Sequence, residues 1–324
     1  MNIKILTTGV VAFIAIVGGI YWMTVEQTDL SPLYTRGNEI ISADTNQPIT
    51  FQGVVSDYFR YNFNYNYPKL YGGLKSELEK IGRLNEAGAN INIIGLYLAG
   101  LDKIKLNIDE IDEYIDYARD NNIYIYLAPT GNAFIDTLTR GRDDLSELTE
   151  FLAVRYGNYP NVIFQLLAEP NMPYSDWEIK QRELATIVRK HTDNLMMVTT
   201  SYYSPYSSLP VLPYDNIIYT TEGYVSKDDS SFTERQIKEI VGQENLIQNY
   251  PVIVAEFGGN YGSDFSSARD LTLFKNLLEE IGHAKLSYTV YRLSSAFVDD
   301  GLALFDTESK LTKKGEVFVN FIRQ

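Results

Sequence analysis

A chain of 324 residues, 45% of them hydrophobic, can bury one large core and has a size common among single-domain α/β barrels. Its 42 acidic against 28 basic residues leave a net charge of −14, which argues against nucleic acid or an anionic membrane surface as partner and suits a neutral polymer. There is no cysteine, so disulfides contribute nothing and cysteine usage leaves the compartment open.

The chain opens with 21 uncharged residues between Lys4 and Glu26, ending near Tyr21 and Trp22. As a helix this run would span about 30 Å, the thickness of a bilayer core. Residues 1–25 are therefore expected to form a membrane anchor or a signal segment, with residues 26–35 as a short tether. The basic residue before the run and the acidic ones after it orient the body outside the cytoplasm.

From about residue 36 strand-type and helix-type patterns alternate, as in a parallel sheet covered by helices. Pro48 to Ser56 reads as the first strand, followed by a helix over Leu74 to Ala87. Asn90 to Leu98 is the second strand, and the helix after it, capped by Asn107, places Ile108, Ile111, Ile115 and Ala118 on one face. Ile123 to Pro129 is the third strand, and Leu145, Leu148 and Leu152 mark the next helix. The fourth strand, VIFQLLAE, leads to a helix opened by a capping box at Ser175 to Glu178, with a second such box at Ser231 to Glu234. Leu195 to Tyr202, Ile217 to Tyr224 and PVIVAEF are the fifth, sixth and seventh strands. Leu271, Phe274, Leu278 and Ile281 mark the seventh helix, Ser287 to Ser294 is the eighth strand, and a last helix covers Thr312 to Ile322. Eight apolar strands in alternation with helices predict a single (β/α)8 barrel over residues 36–324. The alternative, an open doubly wound sheet, would carry a Gly-rich phosphate loop after its first strand, and GVVSDYF is not one.

Two of these strands deliver a carboxylate to their C-terminal tips, Glu169 on the fourth and Glu256 on the seventh. In a barrel both tips open on the same mouth, where catalytic groups gather. A carboxyl pair about 5–5.5 Å apart can divide the work of glycosidic cleavage, one attacking the anomeric carbon and the other protonating the leaving oxygen. Proximity keeps one of the two protonated, which separates the roles without a metal. The bland alternative is that each glutamate pairs with a basic residue on the rim.

The segments RGNEIISADTNQPITFQGVV, EAGANINIIGLYL, YGNYPNVIFQLLAEPN, YPVIVAEFGG and GLALFDTESKLTKKGEVF resemble glycoside hydrolase family 5, the cellulase and mannanase group, from about Arg36 to the C-terminus. The resemblance implies a barrel entered through a short hairpin, a retaining mechanism, Glu256 as nucleophile and Glu169 as acid/base. It also places Tyr224 where the family has a tyrosine bonded to the nucleophile. Several family positions differ. Ala168 replaces the asparagine that precedes the acid/base and holds the sugar, and the second strand lacks its arginine. The histidine after the third strand is missing, although Asn132 offers an amide there; Glu222 replaces a histidine before Tyr224, and Tyr291 stands for the tryptophan of the eighth strand. Losing a donor to the sugar hydroxyl slows the reaction or implies a different sugar at the cleavage point.

Around this pair, Tyr58 in YFRYNFNYNYP and the tyrosines of SYYSPYSS are candidate sugar-stacking rings, or they pack their own loops. Trp177 either lines the cleft or packs its helix onto the barrel. Glu222 is a third carboxylate that tunes the pair or binds a hydroxyl, unless it forms a rim ion pair with Arg292. His191 and His283 read as structural, DEIDEYID as a solvated helix face, and no G-x-S-x-G elbow is present. The expectation is thus a monomeric, extracytoplasmic retaining glycosidase on β-linked glycans, with no cofactor and no metal. Membrane contact is expected only through the N-terminal segment. A transglycosylase using the same pair, or a carbohydrate-binding barrel that has lost catalysis, is the alternative.

Overall fold

The computed structural model describes residues 30–60, 73–130, 143–168, 174–199, 212–224, 248–258, 268–295 and 302–323, with the backbone alone at 174, 222–224 and 268–269. The chain enters through an antiparallel hairpin, β1 (Leu33–Arg36) and β2 (Glu39–Ser42), as the resemblance implied. Eight parallel strands then close into a barrel: β3 (Gln52–Ser56), β4 (Ile93–Leu98), β5 (Tyr124–Pro129), β6 (Val162–Gln165), β7 (Met196–Thr199), β8 (Ile217–Tyr224), β9 (Val252–Gly258) and β10 (Ser287–Val290), with β10 paired to β3. The described helices are α1 (Gly73–Glu86), α2 (Leu101–Leu106), α3 (Ile108–Asp120), α4 (Asp144–Tyr156), α5 (Tyr174–Arg189), α6 (Ala268–His283) and α7 (Lys313–Ile322).

β4, β5, β6 and β9 are buried along their whole length on both faces, which is why the sequence shows apolar runs where a half-exposed sheet would alternate. Ile94, Leu96, Ile125 and Leu127 point outward into the layer packed under the helices. Ile93, Tyr97, Tyr124, Tyr126, Ile163, Met197, Ile218 and Ile253 point inward and fill the barrel. Ile111, Ile115 and Ala118 bury their predicted common face on α3.

Three local expectations are corrected. The helix after β6 starts at Tyr174, so Ser175 stands inside its first turn; the Ser175 hydroxyl bonds Asp176 Oδ1 at 3.2 Å, and Glu178 pairs with Arg182. Asn107 provides no side-chain cap to α3, because an unforeseen six-residue helix, α2, ends there and the Asn107 amide donates back to Lys103 O at 2.8 Å. The first strand begins at Gln52 and not at Pro48, whose residue bridges Ile41 of the hairpin. The box at Ser231 to Glu234 and the apolar run before residue 30 lie outside the described residues. Among the described residues, no helix is long and apolar enough to cross a membrane.

Candidate active site

Strict alternation along β9 would waste its glutamate. Val252 and Val254 face the helices while Ile253 and Ala255 face the barrel interior, so Glu256 would come next on the outer side. The pairing shows why it does not. Thr221 stands opposite Val254 and Glu222 opposite Glu256, while on the other edge Tyr288 stands opposite Val254 and Val290 opposite Phe257. Against both neighbours β9 carries one extra residue, a bulge. Phe257 returns to the outer layer, and Glu256 follows Ala255 on the inner side, 1% exposed.

The bulge turns the Ala255 carbonyl into the barrel, where a bare acceptor would be costly. Two hydroxyls meet it: Tyr126 Oη on β5 donates at 2.9 Å, and the Thr289 hydroxyl on β10 donates as well. Tyr126 reaches that point because residue 95 on the neighbouring strand is glycine. A Cβ there would lie 2.2 Å from the Tyr126 Cζ and Oη.

Above this layer a second tyrosine acts on the glutamate itself. Tyr97, near the end of β4 and fully buried, donates its hydroxyl to Glu256 Oε2. Its ring lies 6.2 Å from that of Tyr291 at an interplanar angle of 39°, and the Arg60 guanidinium sits 6.0 Å from its centroid. Tyr291, just past β10, donates to Asp57 Oδ2, which also accepts from Arg292 Nη1 at 3.2 Å. Arg60 approaches the other Asp57 oxygen at 3.8 Å. Lys314 of α7, itself buried, donates to the Tyr291 carbonyl and to Leu302 O, which fixes the backbone behind the site.

Tyr291, expected as a sugar contact, is fully buried with its hydroxyl on Asp57, and Arg292 pairs with Asp57 as well. The β6 chain continues in register through Leu166 N to Met197 O at 3.0 Å and Ala168 N to Pro129 O at 2.9 Å. It therefore reaches the mouth at Ala168, one residue before Glu169, which lies outside the described residues together with Asn132. Glu222 and Tyr224 end β8 opposite Glu256 and Gly258 by backbone register. Two candidates face elsewhere. Tyr58 is buried toward the helices, its hydroxyl donating to Glu110 Oε2 at 3.0 Å, and Trp177 is fully buried on α5 with its indole N–H on Thr199 O at 3.0 Å. A covered ring has no face to offer a sugar, so both belong to packing. The remaining tyrosines of both aromatic loops, residues 61–68 and 202–206, lie outside the described residues.

Sequence reasoning missed Asp57 and Tyr97. Asp57 was visible as a charge directly after the apolar run of β3, and Tyr97 as the third inward position of β4 after Ile93 and Gly95. Among the described residues no cluster of three His, Asp or Glu could hold a metal ion.

A family model described as cellulase (glycosyl hydrolase family 5) matches residues 71–297. No curated protein sequence matches the chain. Among solved structures, a cellulase superposes with a TM-score of 0.70 at 16% identity, covering 93% of this chain and 95% of its own. The catalytic domain of a Thermobifida fusca endoglucanase gives 0.67 at 16% identity, with 91% and 98% covered. An endocellulase from Pyrococcus horikoshii, solved in complex with cellotetraose, gives 0.68 at 15% identity, with 91% and 99% covered.

Proposed function

The chain belongs to the cellulase family, glycosyl hydrolase family 5, and from that premise we propose that it is a retaining glycosidase acting on β-linked glucans. The observation that carries the reading is the β9 bulge, which brings Glu256 into the mouth, where Tyr97 holds it. In the proposed reaction Glu256 attacks the anomeric carbon as the bond to the glycosidic oxygen breaks, and Glu169 protonates the departing oxygen. Glu169, now a carboxylate, takes a proton from water; that water attacks the same carbon and releases Glu256, so configuration is retained. A sugar hydroxyl in place of water would give transglycosylation with the same two residues. Glu222, Tyr224 and Asn132 remain candidate sugar contacts. The substrate class is supported by the cellotetraose bound in the Pyrococcus horikoshii relative.

Turnover on barley β-glucan, soluble cellulose, mannan, xylan and aryl β-cellobiosides tests this, with Glu256→Gln and Glu169→Gln alongside. Both substitutions should reduce turnover of the natural polymer by at least about a thousandfold. A wild-type rate that survives Glu256→Gln removes Glu256 from the mechanism.

One observation favours a second reading, a carbohydrate-binding barrel without turnover. Ala168 is fully buried and offers no donor before Glu169. Cello-oligosaccharide binding with no labelling of Glu256 by a fluorinated cellobioside would establish it. We further propose that residues 1–25 anchor or export the chain and that the barrel works outside the cytoplasm as a monomer. Protease accessibility on intact cells and sedimentation of the barrel body test these two points.

A further inference from the structure

We infer that Tyr97 is the positioning residue of the nucleophile, a neutral phenol that selects which oxygen of Glu256 attacks. The inference rests on the hydrolase reading above and assigns it a residue outside the Glu169 and Glu256 pair.

Three observations lead to it. First, β4 is not a neighbour of β9: the barrel order runs β9, β10, β3, β4, so the Tyr97–Glu256 bond crosses the interior. A long, rigid side chain is needed for that reach, and tyrosine has only two side-chain torsions to fix. Second, the ring is held on its own account. Tyr97 is fully buried, its ring lies against Tyr291, and the Arg60 guanidinium stands over its face. Its hydroxyl is therefore presented to Glu256 from a fixed frame, and a cation over the ring strengthens the phenol as a donor. Third, the bond engages Oε2, and in the proposed step Oε1 is the oxygen that attacks. When Oε1 forms the ester bond to the anomeric carbon, Oε2 becomes its carbonyl oxygen and continues to accept from Tyr97. The donor keeps its proton throughout, so the contact orients the carboxylate before attack and survives the step.

A purely structural role would instead make Glu256 a convenient acceptor for a buried hydroxyl. The two roles differ in what Tyr97→Phe changes in the full chain. Among the described residues, the ionisable groups around Glu256 include Tyr97 and Tyr291, Arg60 and Asp57 behind them, and Arg292 beyond Asp57, with residue Glu222 opposite by backbone register. Only the first is altered.

With a fluorinated aryl β-cellobioside as inactivator, the rate constant for labelling Glu256 should fall about 10- to 100-fold in Tyr97→Phe, the loss expected for one hydrogen bond to a charged group. The inactivator's dissociation constant should hold. Independently of turnover, NMR of isotope-labelled glutamate carboxyl carbons, with Glu256 assigned by its absence in Glu256→Gln, should show its midpoint rising by about half a unit or more in Tyr97→Phe. A labelling rate within about twofold of wild type overturns the positioning role. An unmoved titration overturns the contact itself. A wild-type chain that neither labels nor turns over β-glucosides sinks the hydrolase reading and the catalytic half of this inference with it, while the titration still decides the contact.

Discussion

Replacing Gly95 with alanine drives a methyl group into the ring of Tyr126. The built Cβ lies 2.2 Å from Cζ and from Oη and 2.6 Å from Cε2. Non-bonded carbons sit about 3.5–4.0 Å apart, so the ring has to retreat by about 1.3 Å or more. It has nowhere to go cheaply, being fully buried with its hydroxyl held by the Ala255 carbonyl. Overpacking of this kind costs about 1–3 kcal/mol, and losing the hydroxyl's bond adds about 0.5–1.5 kcal/mol. Gly95→Ala should therefore destabilise the barrel by about 2–4 kcal/mol in chemical denaturation. Because that bond anchors the bulge presenting Glu256, turnover of a β-glucan should drop while the barrel remains folded. Tyr126→Phe removes the bond without the clash, so the double variant should cost less than the two singles added together. If Gly95→Ala lies within about 0.5 kcal/mol of wild type, or the two effects add, the account of the bulge is wrong.

Asp57→Asn should cost about 3–5 kcal/mol in denaturation, because it removes the carboxylate charge paired with the buried Arg292 guanidinium; a loss below about 1 kcal/mol would show that another group carries that role. The Arg155 hydrogen bonds hold the Asp112 carboxyl below its usual value, with Tyr156 also donating. A depressed folded value means the unfolded chain binds the proton more tightly, so this stabilisation is present above the ordinary carboxylate range and is lost as pH falls through the folded value. The stability difference between wild type and Asp112→Asn should accordingly shrink on acid titration, and a constant difference would refute the linkage. Burial, followed by the charge of Asp44, pushes Tyr124 up to about 12. Here the folded state holds the proton more tightly, so its contribution is complete below the ordinary phenol value of 10.0 and disappears as pH rises through about 12. Alkaline unfolding followed by tyrosinate absorbance should show this loss, and Tyr124→Phe should remove it.

The barrel was legible because burial on both faces leaves a plain mark: runs such as NIIGLYL and PVIVA have no polar face to mislead the reader. Errors fell where the signal is local and short. Six residues of α2 span fewer than two turns, too few to show a period, so Asn107 read as the start of one helix when it also closes another. Ser175 and Glu178 have capping-box spacing, but spacing does not fix where the helix begins, and a start at Tyr174 puts both inside it. Tyr58 and Trp177 stand next to the mouth in sequence yet face the helix layer, a choice made by the turn after β3 and the rotation of α5.

Glu256 shows what period alone cannot carry. A reader who applies alternation to Val252 through Phe257 predicts an outward glutamate and an ordinary structural residue. The bulge that reverses this has no sequence mark on β9. Its marks are elsewhere: a glycine on β4 that clears space, a tyrosine on β5 that fills it, and a threonine on β10, the last two each turning a hydroxyl to the same carbonyl. None of the three is chemically conspicuous alone, and each has an ordinary role in a barrel wall. They acquire a common purpose only once the strands close, because closure brings residues 95, 126 and 289 to one point beneath residue 255. The orientation of Glu256 is therefore encoded across four strands, and on the proposed mechanism substitutions at Gly95, Tyr126 or Thr289 should lower turnover although none of those residues stands at the strand tips.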